Sequence, residues 1–295
     1  MINQSNVLEK ARAFIYQNAR LLDRQRFAYW FEGGSQECVL QALAAYQNQD
    51  GGFGHALEPD IRCPQSQPVP TEHALIMIDE LEAYDSELMD GIIRYLKGIT
   101  HPEGGFPLAY RSLLAYPHAP WWIIERDDVA NLNPTGHILG LLMKHPRWPE
   151  WEKVEWIQRS MRFVWEAMEK PEPGEYHEGV QWVSFLEHAP VTPQTSLAKE
   201  KLNAWLAKDG VIDRNPNAEG YVQKVMDWVT APDSYAASFV TEAELDEHLD
   251  ALIRQQSEDG GWPISFPAAS PLGELEWRGA LTVDRLRTLR AFGRL

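Results

Sequence analysis

Gln47-Asn48-Gln49-Asp50-Gly51-Gly52-Phe53 is a seven-residue stretch that recurs near the other end of this 295-residue chain. Gln256-Ser257-Glu258-Asp259-Gly260-Gly261-Trp262 agrees with it at the glutamine, the aspartate, both glycines and the aromatic residue. Between the two, His101-Pro102-Glu103-Gly104-Gly105-Phe106 keeps an acidic residue, both glycines and the aromatic. Weaker copies lie at 170–176 and 209–211. Self-similarity of this kind indicates an architecture of repeated helical units.

A helix is predicted directly before each of the three clear turns. Glycine pairs adopt backbone conformations that are closed to other residues, and so they end the helix. The aromatic residue of each turn is expected to be buried beside its own turn. Apolar pairs with i, i+3 spacing mark the helices, because such pairs lie on one helix face. These pairs are Leu40 and Leu43, Ile93 and Leu96, and Leu249 and Leu252.

A second element shares the pattern Pro-Thr-x-His-x-Leu. It occurs at 70–75 and at 134–139, and each copy leads into an apolar stretch, 74–78 and 138–143. Proline or threonine beside a helix start is an N-terminal signal, and a helix that is apolar on all sides is buried. Amphipathic helices are predicted at 39–46, 157–168 and 245–253. This alternation predicts an all-α chain of inner and outer helices in a closed ring, with the last helix packed near the first repeat and no β-sheet of more than two short strands.

The Gln-x-x-Asp-Gly-Gly-aromatic units at Gln47 and Gln256 resemble the repeat of squalene-hopene cyclases and of the β subunits of protein prenyltransferases. The resemblance implies an α/α toroid of about six inner and outer helix pairs. It implies that residues 1–295 form one toroid domain. It further implies a terpenoid cyclase-like or prenyltransferase-like protein that handles an isoprenoid or other apolar ligand in a central cavity.

The chain lacks the catalytic motifs of this family. Class II cyclases of the family protonate an alkene with an Asp-x-Asp-Asp motif, which is absent here. The nearest acidic pair is Asp127-Asp128, just before the second Pro-Thr element. The zinc ligands of the prenyltransferases, an Asp-x-Cys pair followed much later by a histidine, are also not matched. Here Cys63 follows Asp60 by three residues, and His73 follows Cys63 by only ten. No cofactor or metal is therefore predicted, and Mg²⁺ or Zn²⁺ stays an alternative.

The candidate site residues come from the two Pro-Thr elements and from the two loops before them. His73 and His137 occupy the same place in two copies of one element, so both are expected to face one end of the ring. The competing interpretation is a pair of hydrogen-bonded core histidines. The loops 54–67 and 107–133 are expected to wall the mouth, or simply to plug it with aromatic residues. The predicted catalytic residues are His73, His137, Asp60, Asp127 and Asp128, and the predicted substrate-binding residues are His55, Tyr110, Trp121, Trp122 and Arg126.

Charge and composition limit the partners. The chain has 27 basic and 43 acidic residues, a net charge of −16, so it should repel phosphate backbones and anionic membranes. It has two cysteines, which suit a reducing compartment, and no apolar run of about 18 residues. A cytoplasmic protein without integral membrane association or nucleic-acid partner is therefore predicted. The oligomeric state stays open.

Two other functions remain open beside the isoprenoid one. Asp259-Gly260-Gly261-Trp262-Pro263 is also similar to a turn of pectate lyases built on an α/α toroid. This similarity suggests a polysaccharide lyase, or a hydrolase that acts on a neutral sugar with paired carboxylates. The remaining alternative is a non-catalytic toroid that binds a lipid, a peptide or a protein. The sequence therefore leaves open whether the chain is an enzyme.

Overall fold

The structure, a computed structural model, describes residues 4–295, with side chains from residue 6 onward, and is largely helical. Its α-helices within this range are α1 (Gln4–Asn18), α2 (Leu21–Phe31), α3 (Gln36–Ala44), α4 (Pro68–Glu80), α5 (Glu87–Ile99), α6 (Leu132–Lys144), α7 (Trp148–Trp151), α8 (Glu155–Ala167), α9 (Tyr176–His188), α10 (Pro193–Leu206), α11 (Val225–Trp228), α12 (Glu242–Arg254) and α13 (Pro271–Ala291). The all-α class is confirmed.

The β-structure is minimal. The one sheet in the described range pairs β1 (Phe106–Pro107) with β2 (Ala130–Asn131) in antiparallel register. Two 3₁₀ helices, Arg111–Ala115 and Tyr235–Phe239, interrupt the loops. The expectation of no more than two short strands in a sheet therefore holds over residues 4–295.

The helices predicted before the glycine turns are present as α3, α5 and α12. The first ends earlier than expected, at Ala44 instead of Tyr46. The amides of Tyr46 and Gln47 bond to the carbonyls of Leu43 and Ala44, three residues back. The chain thus tightens into the turn before the glycine pair is reached.

The chain divides into two compact units. One consists of the chain up to Ala42 together with Leu206–Leu295, and the other of Leu43–Trp205. In the first unit α13 packs on α1 and α2, and α11 packs on α12. Val283, Leu286 and Leu289 of α13 are fully buried. Within this unit the last helix therefore packs on the first two helices of the chain.

In the second unit α6 packs against α4, α8 and α9. Two glycines let α9 approach closely. A β-carbon on Gly136 would lie 2.8 Å from the Cβ of Gln181, and one on Gly140 would lie 2.4 Å from the carbonyl oxygen of Ser184. The tight contact between α6 and α9 therefore depends on the absence of side chains at these two positions.

Each glycine pair docks on a helix of a different repeat. A β-carbon on Gly51, Gly104 or Gly260 would lie 2.0–2.2 Å from a helix carbonyl, that of Gly91, Arg159 or Lys10 respectively. The second glycine of each pair faces a ring four residues further along that helix: Tyr95, Phe163 and Phe14. The three turns thus make equivalent contacts between repeats, and we refer to each contact of a glycine pair with a neighbouring helix as a joint.

The aromatic residues of the turns fill the space beneath these joints. Phe53 and Phe106 are fully buried and Trp262 is 2% exposed, as predicted. The two weaker copies of the turn do not dock in this way. A β-carbon on Gly210 would meet no atom within 4 Å, and one on Gly174 would be near only the side chain of Glu178.

Candidate functional site

The threonine of each Pro-Thr-x-His element anchors the neighbouring turn. The amide of Phe53 donates to Oγ1 of Thr71 at 3.0 Å, and the amide of Phe106 donates to Oγ1 of Thr135 at 2.9 Å. Both threonines are fully buried. Each copy therefore holds the residue two positions later, His73 or His137, in the same register relative to its turn.

A third copy of this anchor was not evident from the sequence. The amide of Trp262 donates to Oγ1 of Thr282 at 3.2 Å. The residue two positions after Thr282 is Asp284, which forms an ion pair with Arg26 at 2.7 Å. Neither proline nor histidine accompanies this threonine, so only the equivalent hydrogen bond reveals the relationship.

His137 is held by a buried carboxylate. Its Nδ1 lies 2.9 Å from Oε1 of Glu72, which is 6% exposed, while the His137 side chain is 19% exposed. A carboxylate oxygen accepts, so Nδ1 of the neutral ring carries the proton and Nε2 carries the lone pair. Among the described residues Nε2 has no hydrogen-bond partner. A ring so held is oriented for proton transfer at Nε2.

The main chain around His137 is also fixed. Its amide donates to Oε1 of Gln181 at 2.7 Å, and Nε2 of Gln181 donates to Oδ1 of Asn133 at 3.3 Å. Gln181 is 3% exposed. This buried amide on α9 therefore limits the movement of the first turns of α6.

A second polar set lies seven residues further along the same helices. Nζ of Lys144 lies 2.5 Å from Oδ2 of Asp79, and the hydroxyl of Tyr84 donates to Oδ1 of Asp79 at 2.5 Å. His188 follows Gln181 by the same seven residues on α9. Residues seven apart share a helix face and are separated by about 10 Å along the axis. We refer to Glu72, Asp79, His137, Lys144 and His188 as the polar face.

Constant offsets show how these helices are aligned. Glu72–His137 and Asp79–Lys144 are each separated by 65 residues. Two contacts with one offset require that α4 and α6 run parallel and in register. The polar face is thus a set of corresponding positions on packed helices, and not a chance cluster.

The electrostatics of the polar face are set by burial and by its own charges. Desolvation lowers the pKa of His188, and the nearby ammonium group of Lys144 lowers it further. Desolvation and the hydrogen bond to Asp79 raise the pKa of Tyr84. At neutral pH the face therefore combines a neutral imidazole at His188 with the Lys144–Asp79 ion pair.

The two loops predicted to lie together do so. The amide of Ala119 donates to the carbonyl of Asp60, and the amide of Arg62 donates to that of Pro117. An apolar cluster joins them, and its members are Ile61, Cys63, Ala109, Leu113 and Ile124, with Leu108, Tyr116 and Trp122 packed against it. Asp60 is 2% exposed within this paired-loop structure.

The predicted acidic pair has local partners on the loop. Oδ1 of Asp127 accepts from the amide of Arg111 at 2.6 Å, at the start of a 3₁₀ helix. Asp128 receives two hydrogen bonds of 2.8 Å from Arg126, and both side chains are exposed. The hydrogen bond from Arg126 lowers the pKa of Asp128. In the described structure Asp127 thus stabilises the start of the 3₁₀ helix, and Asp128 forms an ion pair on the surface of the loop.

The remaining predicted residues lie on the two loops and on α4. Nε2 of His55 lies 3.0 Å from Oδ1 of Asn48 on the first turn. The amide of Tyr110 donates to Oε1 of Gln67, and burial raises the pKa of the Tyr110 hydroxyl to about 12. Trp121 is exposed, whereas Trp122 packs on the apolar cluster. His73 is half-buried on α4, and the direct partner of His137 is the preceding residue, Glu72.

Glu72, Asp79, Lys144 and His188 were not singled out from the sequence. The one signal for them was the presence of charged residues seven apart in helices that otherwise look buried, 72 and 79 in one and 137 and 144 in the other. Over residues 4–295 no three histidine, cysteine or acidic side chains converge as metal ligands. The thiol of Cys63 instead donates to Oε1 of Gln65 at 2.9 Å.

Comparisons with known proteins bear on the fold. No family model matches the chain, and no curated protein matches it. Among solved structures the chain is similar to the crystal structure of a protein from Actinoplanes, with a TM-score of 0.58 and 13% identity. The similarity covers 99% of this chain and 100% of that one. It shows a shared fold over nearly the whole chain, and a fold by itself does not define an activity. None of the helices in the described range has the length and apolar character needed to cross a membrane.

Proposed function

We propose that this protein is an enzyme in which His137, oriented by Glu72, acts as a general base on a polar substrate. The observation that carries the proposal is the 2.9 Å contact between Nδ1 of His137 and Oε1 of Glu72. It leaves Nε2 without a protein partner in the described range, on a side chain that is 19% exposed. In this arrangement Nε2 takes a proton from a substrate hydroxyl, or from an activated C–H group. The Glu72 carboxylate stabilises the imidazolium that forms.

A polar substrate fits the surroundings of His137. Two helix turns from the level of His137, the same face of α4, α6 and α9 carries Asp79, Lys144 and His188. A hydroxyl-rich ligand such as a carbohydrate forms hydrogen bonds with such groups, whereas an apolar chain desolvates them and offers no new partner. A hydrolase or lyase acting on a sugar is therefore the substrate class we favour.

An isoprenoid-handling enzyme is the second candidate. The resemblance of the turns supports it, and so does the apolar surface that the 107–131 loop exposes at Leu114, Trp121 and Ile123. An aromatic face such as that of Trp121 stabilises a cation. The charged groups around His137 are the reason for ranking this candidate lower.

The proposed architecture is one α/α toroid. It is supported by the equivalent docking of the three turns, in which the last turn uses α1 as the first uses α5. The parallel register of α4 and α6 is what successive inner helices of such repeats require. We also propose a cytoplasmic location, because Cys38 and Cys63 are both free thiols.

The test is a substrate panel with matched variants. Purified protein is assayed on aryl glycosides, polysaccharides and isoprenoid diphosphates, and the active substrate is then used with His137→Gln and Glu72→Gln. We expect His137→Gln to lower kcat by about 10²–10⁴-fold, the usual contribution of a general base, with little change in Tm. His177→Gln, an exposed histidine on α9, is the control. Full turnover by the His137 variant would overturn the proposal, and turnover of isoprenoids alone would favour the second candidate.

A further inference from the structure

A further lysine, Lys199, lies close enough to the C-terminal part of the polar face to act electrostatically on His188. Lys144 is bound to Asp79 at 2.5 Å, yet its side chain remains 34% exposed. Lys199 on α10 is half-buried, and within the described chain its ammonium group forms no ion pair or hydrogen bond. Both lysines act electrostatically on His188. His188 is therefore within electrostatic reach of two lysines, which belong to two other helices, α6 and α10.

The helix register independently places His188 beside Lys144. His137 contacts Gln181 at an offset of 44 residues, and Lys144 and His188 have the same offset one heptad later. In addition, α6 and α9 are packed closely along their length. Corresponding positions on two such helices remain neighbours seven residues further on.

A purely structural role explains only part of this set. Lys144 lies in the last turn of α6, where the helix dipole favours a cation, and it also has a carboxylate partner. Lys199 has neither advantage, since it lies in the middle of α10. The chain has a net charge of −16, so a half-buried lysine without an ion pair in the described chain, acting on the same imidazole as Lys144, forms a local excess of positive charge.

We propose that Lys144, His188 and Lys199 form an anion-binding subsite for a carboxylate or phosphate group of the substrate. The two ammonium groups supply charge and donors, and the neutral imidazole of His188 supplies one more N–H donor. The subsite lies two helix turns, about 10 Å, from the level of His137. The substrate is thus an elongated polar molecule with its anionic group at one end and its reacting proton at the other.

The assignment of a reacting proton rests on the function proposed for His137, but anion binding does not. It is tested directly by NMR titration of the full-length protein with inorganic phosphate and, separately, with acetate, at neutral pH and low salt. We expect saturable binding of at least one anion, and the preferred anion identifies the substrate group. Lys199→Met should weaken binding about tenfold, since it removes a charge-assisted contact without breaking any contact within the protein.

The controls separate the two proposals. Lys97→Met removes the same charge from an exposed position on α5 and should leave the affinity within about twofold. His137→Gln should bind the anion as the wild type does, whether or not it is active. Lys144→Met, whose folding is checked by circular dichroism, should weaken binding as Lys199→Met does. Absence of saturable binding of either anion, or equal effects of Lys199→Met and Lys97→Met, would overturn the subsite.

Discussion

His145 illustrates how the environment of one residue determines its charge. The amide of Arg147 donates to Nδ1 at 2.9 Å, so Nδ1 is an acceptor and the proton is on Nε2, which faces the carbonyl of Tyr84 at 3.0 Å. The ring is 3% exposed and lies 4.2 Å from the ring of Trp151, centroid to centroid. Burial lowers the pKa of His145. A second proton would meet the N–H of Arg147, so the folded protein holds this histidine neutral.

This residue should make the protein sensitive to mild acid. In the unfolded chain a histidine has a pKa of about 6.5, higher than in the folded state. The unfolded state therefore binds more protons as the pH falls below about 6.5, and stability decreases until the lower folded-state pKa is passed. Urea unfolding between pH 8 and pH 5 should show a steeper loss for the wild type than for His145→Gln. Parallel profiles of the two proteins would contradict this account.

The sequence identified His137 as a site residue but did not identify its hydrogen-bond partner. His137 was singled out because it shares a motif with His73, but its partner Glu72 occupies the variable position of that motif. Nothing local marks Glu72, since the contact joins two helices 65 residues apart. A residue's chemistry can be read from its type, whereas its partner depends on packing.

Among the elements, the glycine turns work as joints because each turn approaches the backbone of a helix more closely than a side chain allows. Gly260 has φ of +94° and Gly210 has φ of +84°, so both adopt the left-handed conformation. They differ in surroundings, since a β-carbon on Gly260 would lie 2.1 Å from the carbonyl oxygen of Lys10, whereas Gly210 has open space. Comparing substitutions at Gly210 and Gly260 therefore distinguishes the cost of backbone strain from the cost of a steric clash.

Alanine at the two positions should have unequal effects. Gly210→Ala should lower the free energy of unfolding by about 1–2 kcal/mol, the cost of a left-handed non-glycine residue. Gly260→Ala should cost several kcal/mol more, because the helix carrying Lys10 must move and the packing around Trp262 is disturbed. Chemical denaturation followed by tryptophan fluorescence measures both. Equal losses would show that the turn does not act as a joint.

At the scale of the whole molecule, the ends of the chain are fastened by the same contact that joins internal repeats. Nε2 of Gln256 donates to the carbonyls of Gly260 and Val7, both at 2.9 Å. Nε2 of Gln47 donates in the same way to the carbonyls of Gly51 and Leu88, both at 3.0 Å. The last repeat thus contacts α1 in the same way as the first repeat contacts α5.

Removing each glutamine should loosen a different helix. Gln256→Ala leaves carbonyl groups unpaired and should cost about 1–3 kcal/mol, with faster hydrogen exchange in α1. Gln47→Ala should have a similar cost, with faster exchange in α5. Gln49→Ala, at an exposed position of the same turn, is the control and should stay within about 0.5 kcal/mol of the wild type. Faster exchange in α1 in both variants, or in neither, would contradict the proposed equivalence.

Sequence patterns alone predict the helical class, the three glycine turns and the helices before them. These features depend on interactions within a few residues, such as the conformational freedom of glycine and the periodicity of apolar positions. Even the shared register of His73 and His137 follows from a local motif, because Thr71 and Thr135 anchor their turns in the same way.

Which charged groups come into contact depends on how the helices pack. Asp79 and Lys144, like Glu72 and His137, come together because α4 and α6 pack in parallel with a constant offset. That offset is a property of helix packing, which depends on the contacts of many side chains at once and is not encoded at any single position. The seven-residue spacing was visible in each helix, but its meaning required the neighbouring helix to be in place.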